Sequence, residues 1–184
     1  ELKAAAQERA TGIPQWIIFI GHANEAASQV RFNLPGPDAT AEDLADALKG
    51  DANATPMVIF FTTAVGGKFL KPLSGPDRIV AAATRPDESE NETMFPDILA
   101  DALEAADTDT NKDQKVSVAE LFIACKKRTM QACEKEKLIQ REHAILDGDG
   151  DGRGTGRPSR SDAAAADLVT LSISRRQELL DKFD

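Results

Sequence analysis

Two runs of five consecutive apolar residues limit how this chain folds more than any other feature. They are Trp16-Ile17-Ile18-Phe19-Ile20, between Pro14 and Gly21, and Met57-Val58-Ile59-Phe60-Phe61, which ends at Thr62. With no polar residue in the alternation, a strand there must be covered on both faces, as in a parallel sheet with helices on either side. Neither run approaches the roughly 20 residues needed to cross a bilayer. Arg78–Ala83 reads as a third such strand and Val30–Leu34 as a weaker one, followed by a Pro35–Asp38 turn. A helix is predicted over 41–49. Thr40 is its N-cap, Asp43 fills the capping-box position, Leu44, Ala45 and Leu48 form its inner face, and Gly50 stops it. The order strand, helix, strand, strand, helix implies an α/β sheet with crossover connections. Ligands of such sheets bind beyond the carboxyl ends of the strands. That places His22, the Thr62–Gly67 turn and Thr84–Glu90 on one edge.

The carboxyl-terminal half reads as helical. Pro96 opens a helix to about Ala106, a longer one runs from Ser117 to about Leu138, and residues 147–160 form a Gly/Asp/Arg loop. A final amphipathic helix, capped by Ser161, is expected over 161–183 with Leu168, Leu171, Leu179 and Leu180 on one side. A short Ala-rich helix is expected over 1–10. Cys125 and Cys133 share one helix at a separation of about 12 Å, too far for a mutual disulfide, and no CxxC or spaced His suggests zinc. They read as buried or half-buried thiols.

The sharpest motif is the twelve-residue stretch Asp109–Glu120. Oxygen-bearing side chains stand at positions 1, 3, 5, 9 and 12: Asp109, Asn111, Asp113, Ser117 and Glu120. Lys115 at position 7 needs only its carbonyl, and Val116 at position 8 is the residue that would pack inward. This is the pattern of an EF-hand loop, in which several oxygens wrap a hard Ca2+ ion. Gln114 replaces the usual glycine at position 6. A side chain at positive φ costs about 1 kcal/mol, so weakened binding is expected. The competing reading is an acidic turn with Ser117 as a helix cap. A second candidate begins Asp147-Gly-Asp149-Gly-Asp151-Gly152-Arg153, an ideal first half. Its second half departs from the pattern, with Gly154 at position 8 and Pro158 at position 12. A remote carboxylate such as Asp162 could close it. The competing reading there is a solvated linker.

The stretch from Ile13 to Ala105 resembles the caspase-fold cysteine peptidases, most closely the legumain-like branch and its bacterial relatives. Trp16–Ala23, ending Gly21-His22-Ala23, is similar to the strand that ends in the family's His-Gly. Pro56–Phe69, with Thr63-Ala64-Val65-Gly66-Gly67 at its turn, is similar to the strand that delivers the catalytic Cys. Leu73–Ser89 is similar to the next strand and its loop. The resemblance implies a mostly parallel sheet flanked by helices, with the family's amino-terminal strands missing. With it, residues 1–106 read as a partial caspase-like α/β domain, and the motifs and periodicity above divide the rest into 107–146, an EF-hand-like loop and long helix, 147–160, the Asp/Gly-rich loop, and 161–184, the last helix. The resemblance further implies a thiolate attacking a peptide carbonyl, with a histidine moving the proton. His22 fills the histidine slot. The nucleophile slot holds Ala64, or Thr63 in an alignment shifted by one; Ala cannot attack, and Thr lacks an activating base. Gly66-Gly67 after the slot and Ala23 after the histidine add further departures, which favour a natural pseudoenzyme over a peptidase altered at one position.

Three functions follow: a catalytically inactive caspase/legumain-like module that binds calcium, a cysteine endopeptidase whose nucleophile was replaced at position 64, and an EF-hand calcium sensor. Sensors expose Met-rich grooves, and three Met in the whole chain argue for a structural ion instead. The net charge is −9, and all of it falls in residues 87–120, with eleven acids and two bases. Nucleic acid and anionic membrane surfaces are therefore poor partners. A thin sheet with exposed edges predicts a protein partner or a homo-oligomer. The chain begins at Glu1 in a helical pattern and reads as a piece of a longer protein. A weakened calcium site suits the calcium-rich extracytoplasmic side.

Overall fold

The computed structural model describes Lys3 and residues 12–49, 55–88 and 92–172. Apart from Lys3, the helix expected over 1–10 lies outside the described residues, as does 173–183. The apolar runs form strands β1 (Gln15–Phe19) and, later, β5 (Met57–Phe61). Between them come β2 (Ala23–Ala26), β3 (Gln29–Phe32), β4 (Ala39–Thr40) and helix α1 (Ala41–Ala47). The Thr40 hydroxyl accepts from Asp43 N–H and the Asp43 carboxylate accepts from Thr40 N–H, the capping box expected from the sequence. After β5 follow α2 (Gly67–Leu73), β6 (Arg78–Ala82) and α3 (Phe95–Glu104), with Pro96 in the first turn of α3. A 3-10 turn at Ala106–Thr108 leads to β7 (Lys115–Ser117), α4 (Val118–Glu136), β8 (Ile145–Asp147), α5 (Arg160–Leu168) and β9 (Thr170–Ser172).

The main sheet has the order β1-β5-β6-β8. β1, β5 and β6 are parallel, and β8 is antiparallel to β6. Every residue of β5 and β6 is buried, because each face carries its own core. Met57, Ile59, Phe61, Val80 and Ala82 pack on one side against Leu44 and Leu48 and against Phe69, Leu70 and Leu73 of α2. Val58, Phe60, Ile79 and Ala81 pack on the other side against α3, α4 and α5 through Phe95, Leu99, Leu121, Phe122 and Ala166. The chain is thus a mixed α/β structure with a mostly parallel sheet flanked by helices. Among the described residues no helix is long and apolar enough to cross a membrane.

Several expectations change. β2 pairs with β3, and β3 with β4, in a small antiparallel sheet of which only the β3 region was foreseen. Its tight turn is Ala27-Ser28, both at positive φ, 52° and 63°, the geometry that usually selects Asn-Gly. Neither α2, which starts at the end of the expected Thr62–Gly67 turn, nor β8 was foreseen. The last helix differs most. It is capped by Ser159 rather than Ser161 and ends at Leu168, whose side chain is exposed, and the chain then turns into β9 against β7. Leu171 is buried from a strand, not a helix face. Two-residue spacing of Val169 and Leu171 and pairing with β7 override the helical periodicity there.

Candidate functional site

Two acidic loops carry similar hydrogen-bond circuits, which differ in one bond of the opening carboxylate: Asp109 Oδ1 takes the N–H of the fifth residue and Asp147 Oδ1 that of the fourth. In the first, Asp109 opens the loop. Its Oδ1 accepts from Asp113 N–H at 3.2 Å and its Oδ2 from Gln114 N–H at 2.9 Å. In the second, Asp147 Oδ1 accepts from Gly150 N–H and Oδ2 from Gly152 N–H, both at 2.8 Å. At the third position, Asn111 Oδ1 accepts from Asp113 N–H and Asp149 Oδ1 from Asp151 N–H. At the fifth, Asp113 Oδ1 accepts from Lys115 N–H and Asp151 Oδ1 from Arg153 N–H. The fourth and sixth residues are left-handed in both, Lys112 at 62° and Gln114 at 67°, Gly150 at 75° and Gly152 at 81°. Gln114 therefore holds the strained conformation its position predicts. Lys115 and Arg153, at the seventh positions, are exposed.

The closing carboxylates complete the match. Glu120 Oε1 accepts from Thr110 N–H at 2.9 Å and Asn111 N–H at 3.2 Å, while Oε2 accepts from Ser117 N–H at 2.9 Å. Asp162 Oδ1 accepts from Gly148 N–H at 2.8 Å and Asp149 N–H at 3.4 Å, while Oδ2 accepts from Ser159 N–H at 2.9 Å. Each is the third helical residue of a capping box, Ser117–Glu120 on α4 and Ser159–Asp162 on α5. The second loop thus spans four more residues and closes with Asp162, not at Pro158. The position-8 residues also differ for a packing reason. Val116 is buried in the core, whereas a Cβ on Gly154 would stand 2.3 Å from Leu70 Cδ1.

Burial acts to raise the Asp162 pKa, yet the N–H groups of Gly148, Ser159 and Asp149 and the Ser159 hydroxyl outweigh it and hold the carboxyl below the usual range. Burial acts the same way on Glu120, where Ser117, Thr110 and Asn111 donors win again. Both groups therefore stay ionised at neutral pH. Oxygen atoms of Asp147, Asp149 and Asp162 all lie within 4.8 Å of one another, with Asp147 fully buried and Asp162 4% exposed. This cluster can hold a metal ion. Among the described residues it is the one triad of His, Cys, Asp or Glu gathered so closely. In the first loop Asn111 takes the place of a third charge. Asp147 is anchored further by the Ser74 hydroxyl at the end of α2.

The second feature is a cleft of about 210 Å3 at the carboxyl ends of β1 and β5. It is lined by His22 and Ala64 together with Ile20, Ala23, Glu92 and Thr93. Both sequence-predicted residues therefore face one space. Thr62 is turned away, its hydroxyl donating to Phe19 O at 2.7 Å. Thr63 is 1% exposed, its Oγ1 has no hydrogen-bond partner, and it does not line the cleft. Gly67 lies tight against the neighbouring segment, since a Cβ there would fall 2.3 Å from Thr84 O. Thr84 sits against the turn, its hydroxyl accepting from Gly67 N–H at 3.3 Å, while Glu88 pairs with His143 Nδ1 and accepts from Arg85 N–H at 2.9 Å; neither lines the cleft. Both cysteines are free and buried. Burial pushes the Cys125 thiol up to about 12, and burial with the nearby Glu142 raises Cys133. No family model, curated protein or solved structure matches the chain.

Proposed function

We propose that this chain is a calcium-binding, catalytically inactive relative of the caspase-fold cysteine peptidases, working by binding rather than by bond cleavage. The observation that carries the calcium half is the repeated circuit: two separate stretches fold their Asp-rich loops with the same left-handed positions, a closing carboxylate in a capping box, and matching backbone donors at all but one of the corresponding bonds. The first loop has the twelve-residue EF-hand spacing, and the second keeps its first seven positions and closes late. The donors are all oxygens, which suit a hard cation and not zinc. Asp147, Asp149 and Asp162 would hold the ion in one loop; Asp109, Asn111, Asp113 and Glu120, with Ser117 at position 9, would hold it in the other. The burial of Val116, Asp147 and Asp162 ties both loops into the core, which favours an ion that fixes structure over one that switches it.

The inactive half rests on the cleft. A thiolate at position 64 would share that space with His22, but the methyl of Ala64 has nothing to deprotonate and no lone pair to attack with. Thr63 lies outside the cleft, and the cysteines sit elsewhere with raised thiol pKa values, so neither replaces it. Partner binding by the outer edge of β1 fits this role. β1 pairs with β5 on one side only among the described residues, and it carries half-buried Trp16, Ile17 and Ile18.

Calorimetric titration of the metal-free chain with calcium tests the first half, with two equivalents expected; absence of binding overturns it. The variant Ala64→Cys, assayed with peptide substrates and a thiol-directed probe, tests the second. Labelling at residue 64 with substrate turnover would favour the alternative, a peptidase that lost only its nucleophile.

A further inference from the structure

One short helix, α5, touches both loops; α4, which carries Glu120, also reaches the second loop through Lys126, whose ammonium donates to Gly156 O. α5 carries Asp162, which closes the second loop, in its first turn. Five residues later, about 7.5 Å along the axis, it carries Asp167. The Ser117 hydroxyl lies 3.1 Å from Asp167 Oδ1 and 3.1 Å from Glu120 Oε2, two carboxylates that share its one proton, and Ser117 is the ninth residue of the first loop and the cap of α4. Directly after α5, Val118 N–H donates to Val169 O at 3.0 Å, and β9 pairs with β7 from Ser117↔Thr170 to Lys115↔Ser172. Buried Ala166 and Val169 seat this stretch in the same core as Val116, Val118 and Leu121. Among the described residues no strand pairing joins the loops to each other: Thr155 of the second loop bonds back to Leu146 of β8, and α5 is the element that carries a ligand of one loop and a partner of the other.

We propose that Asp167 and α5 couple the two metal loops, so that filling the Asp147–Asp162 loop strengthens calcium binding at the Asp109–Glu120 loop. The inference rests on the calcium reading of both loops given above. An ion bound by Asp162 fixes the first turn of α5. The helix is rigid over two turns, so its far end, Asp167 with β9, is fixed as well. Asp167 then holds Ser117 in place and adds a negative charge beside the first site. By linkage the effect is mutual: an ion in the first loop strengthens the second by the same factor. Asp167 is a positioning residue here.

The test is a calcium titration of the full chain, followed by calorimetry and by amide resonances. Gly150 and Gly152 report the second loop, and Lys112 and Gln114 the first. Asp149→Asn weakens the second loop without touching the capping box of α5. In that variant the first loop is expected to lose about fivefold or more in affinity, within the usual range for coupled sites. Asp167→Ala, at an exposed position, is expected to cost the first loop a similar factor. Adding Asp149→Asn to it should then cost little more. Asp167→Asn, which keeps an oxygen for the Ser117 hydroxyl, is expected to restore the dependence on the second loop. An unchanged first-loop affinity in Asp167→Ala overturns the coupling, as do losses that multiply in the double variant, while both leave the calcium reading standing. If the wild-type amides of neither loop respond to calcium, the calcium reading fails and takes the coupling with it.

Discussion

Replacing Asp162 with Asn separates its two roles, cap and ligand. The carboxylate is 4% exposed and accepts three backbone N–H bonds, from Gly148, Asp149 and Ser159. An amide keeps one acceptor oxygen and turns a donor toward the remaining N–H. Loss of half a capping box costs about 1 kcal/mol, and one buried N–H left unpaired costs about 1 kcal/mol more. The metal-free variant should therefore be about 2 kcal/mol less stable, or about 4–8 °C lower in Tm for a chain of this size. Calcium at a hundredfold excess over its Kd adds about 2.7 kcal/mol per occupied site, about 5–11 °C. The wild type should show the contribution of both loops and the variant only that of the first. Thermal unfolding by circular dichroism, with chelator and with calcium, reads both numbers. A variant that is less stable without metal but keeps the full calcium response would make Asp162 a cap only, and the proposed second site would be wrong.

Gln114→Gly should relieve the left-handed strain of the first loop (φ 67°). It is expected to tighten calcium there by about fivefold, from about 1 kcal/mol of relieved strain, as read by calorimetry; unchanged affinity would mean the strain is not felt in binding. Acid should destabilise the metal-free chain in a definite window. Asp162 and Glu120 have lowered pKa values in the folded state, so their contribution is present above the unfolded values, 3.8 and 4.5, and is lost as pH falls through the lower folded ones. Urea unfolding between pH 6 and pH 3 checks this, and constant stability across that range would contradict it. Native Cys125 and Cys133 should react with a disulfide reagent far more slowly than in urea, given their burial and raised thiol pKa values. Rapid stoichiometric labelling of the native chain would refute that.

The central sheet was legible because its strands leave no alternative. Five apolar residues in a row at 57–61 require cover on both faces, and the structure supplies it. The α1 cap and the packing of Val116 were legible too, since Thr40, Asp43 and the twelve-residue spacing state them directly. The rest is tertiary. β8 is three residues long and exists because Ile145 and Leu146 find β6. The Ala27-Ser28 turn lacks the residues that normally announce it. The helix expected through Leu171 loses to pairing with β7, which no local period reveals. The capping box Ser159-Arg160-Ser161-Asp162 is a readable signal that the Ser161 cap passes over, and it supports Asp162, which the sequence already offers as the carboxylate to close the second loop. Asp167 carried no signal at all, because its importance depends on Ser117, fifty residues away, lying beside it.

Diffraction from crystals grown with calcium, using the anomalous signal of the ion, tests the account most directly. It predicts two peaks. One should lie about 2.3–2.6 Å from oxygens of Asp147, Asp149 and Asp162, and the other at the same range from Asp109, Asn111, Asp113 and Glu120. Well-ordered loops with no anomalous peak in either would contradict it.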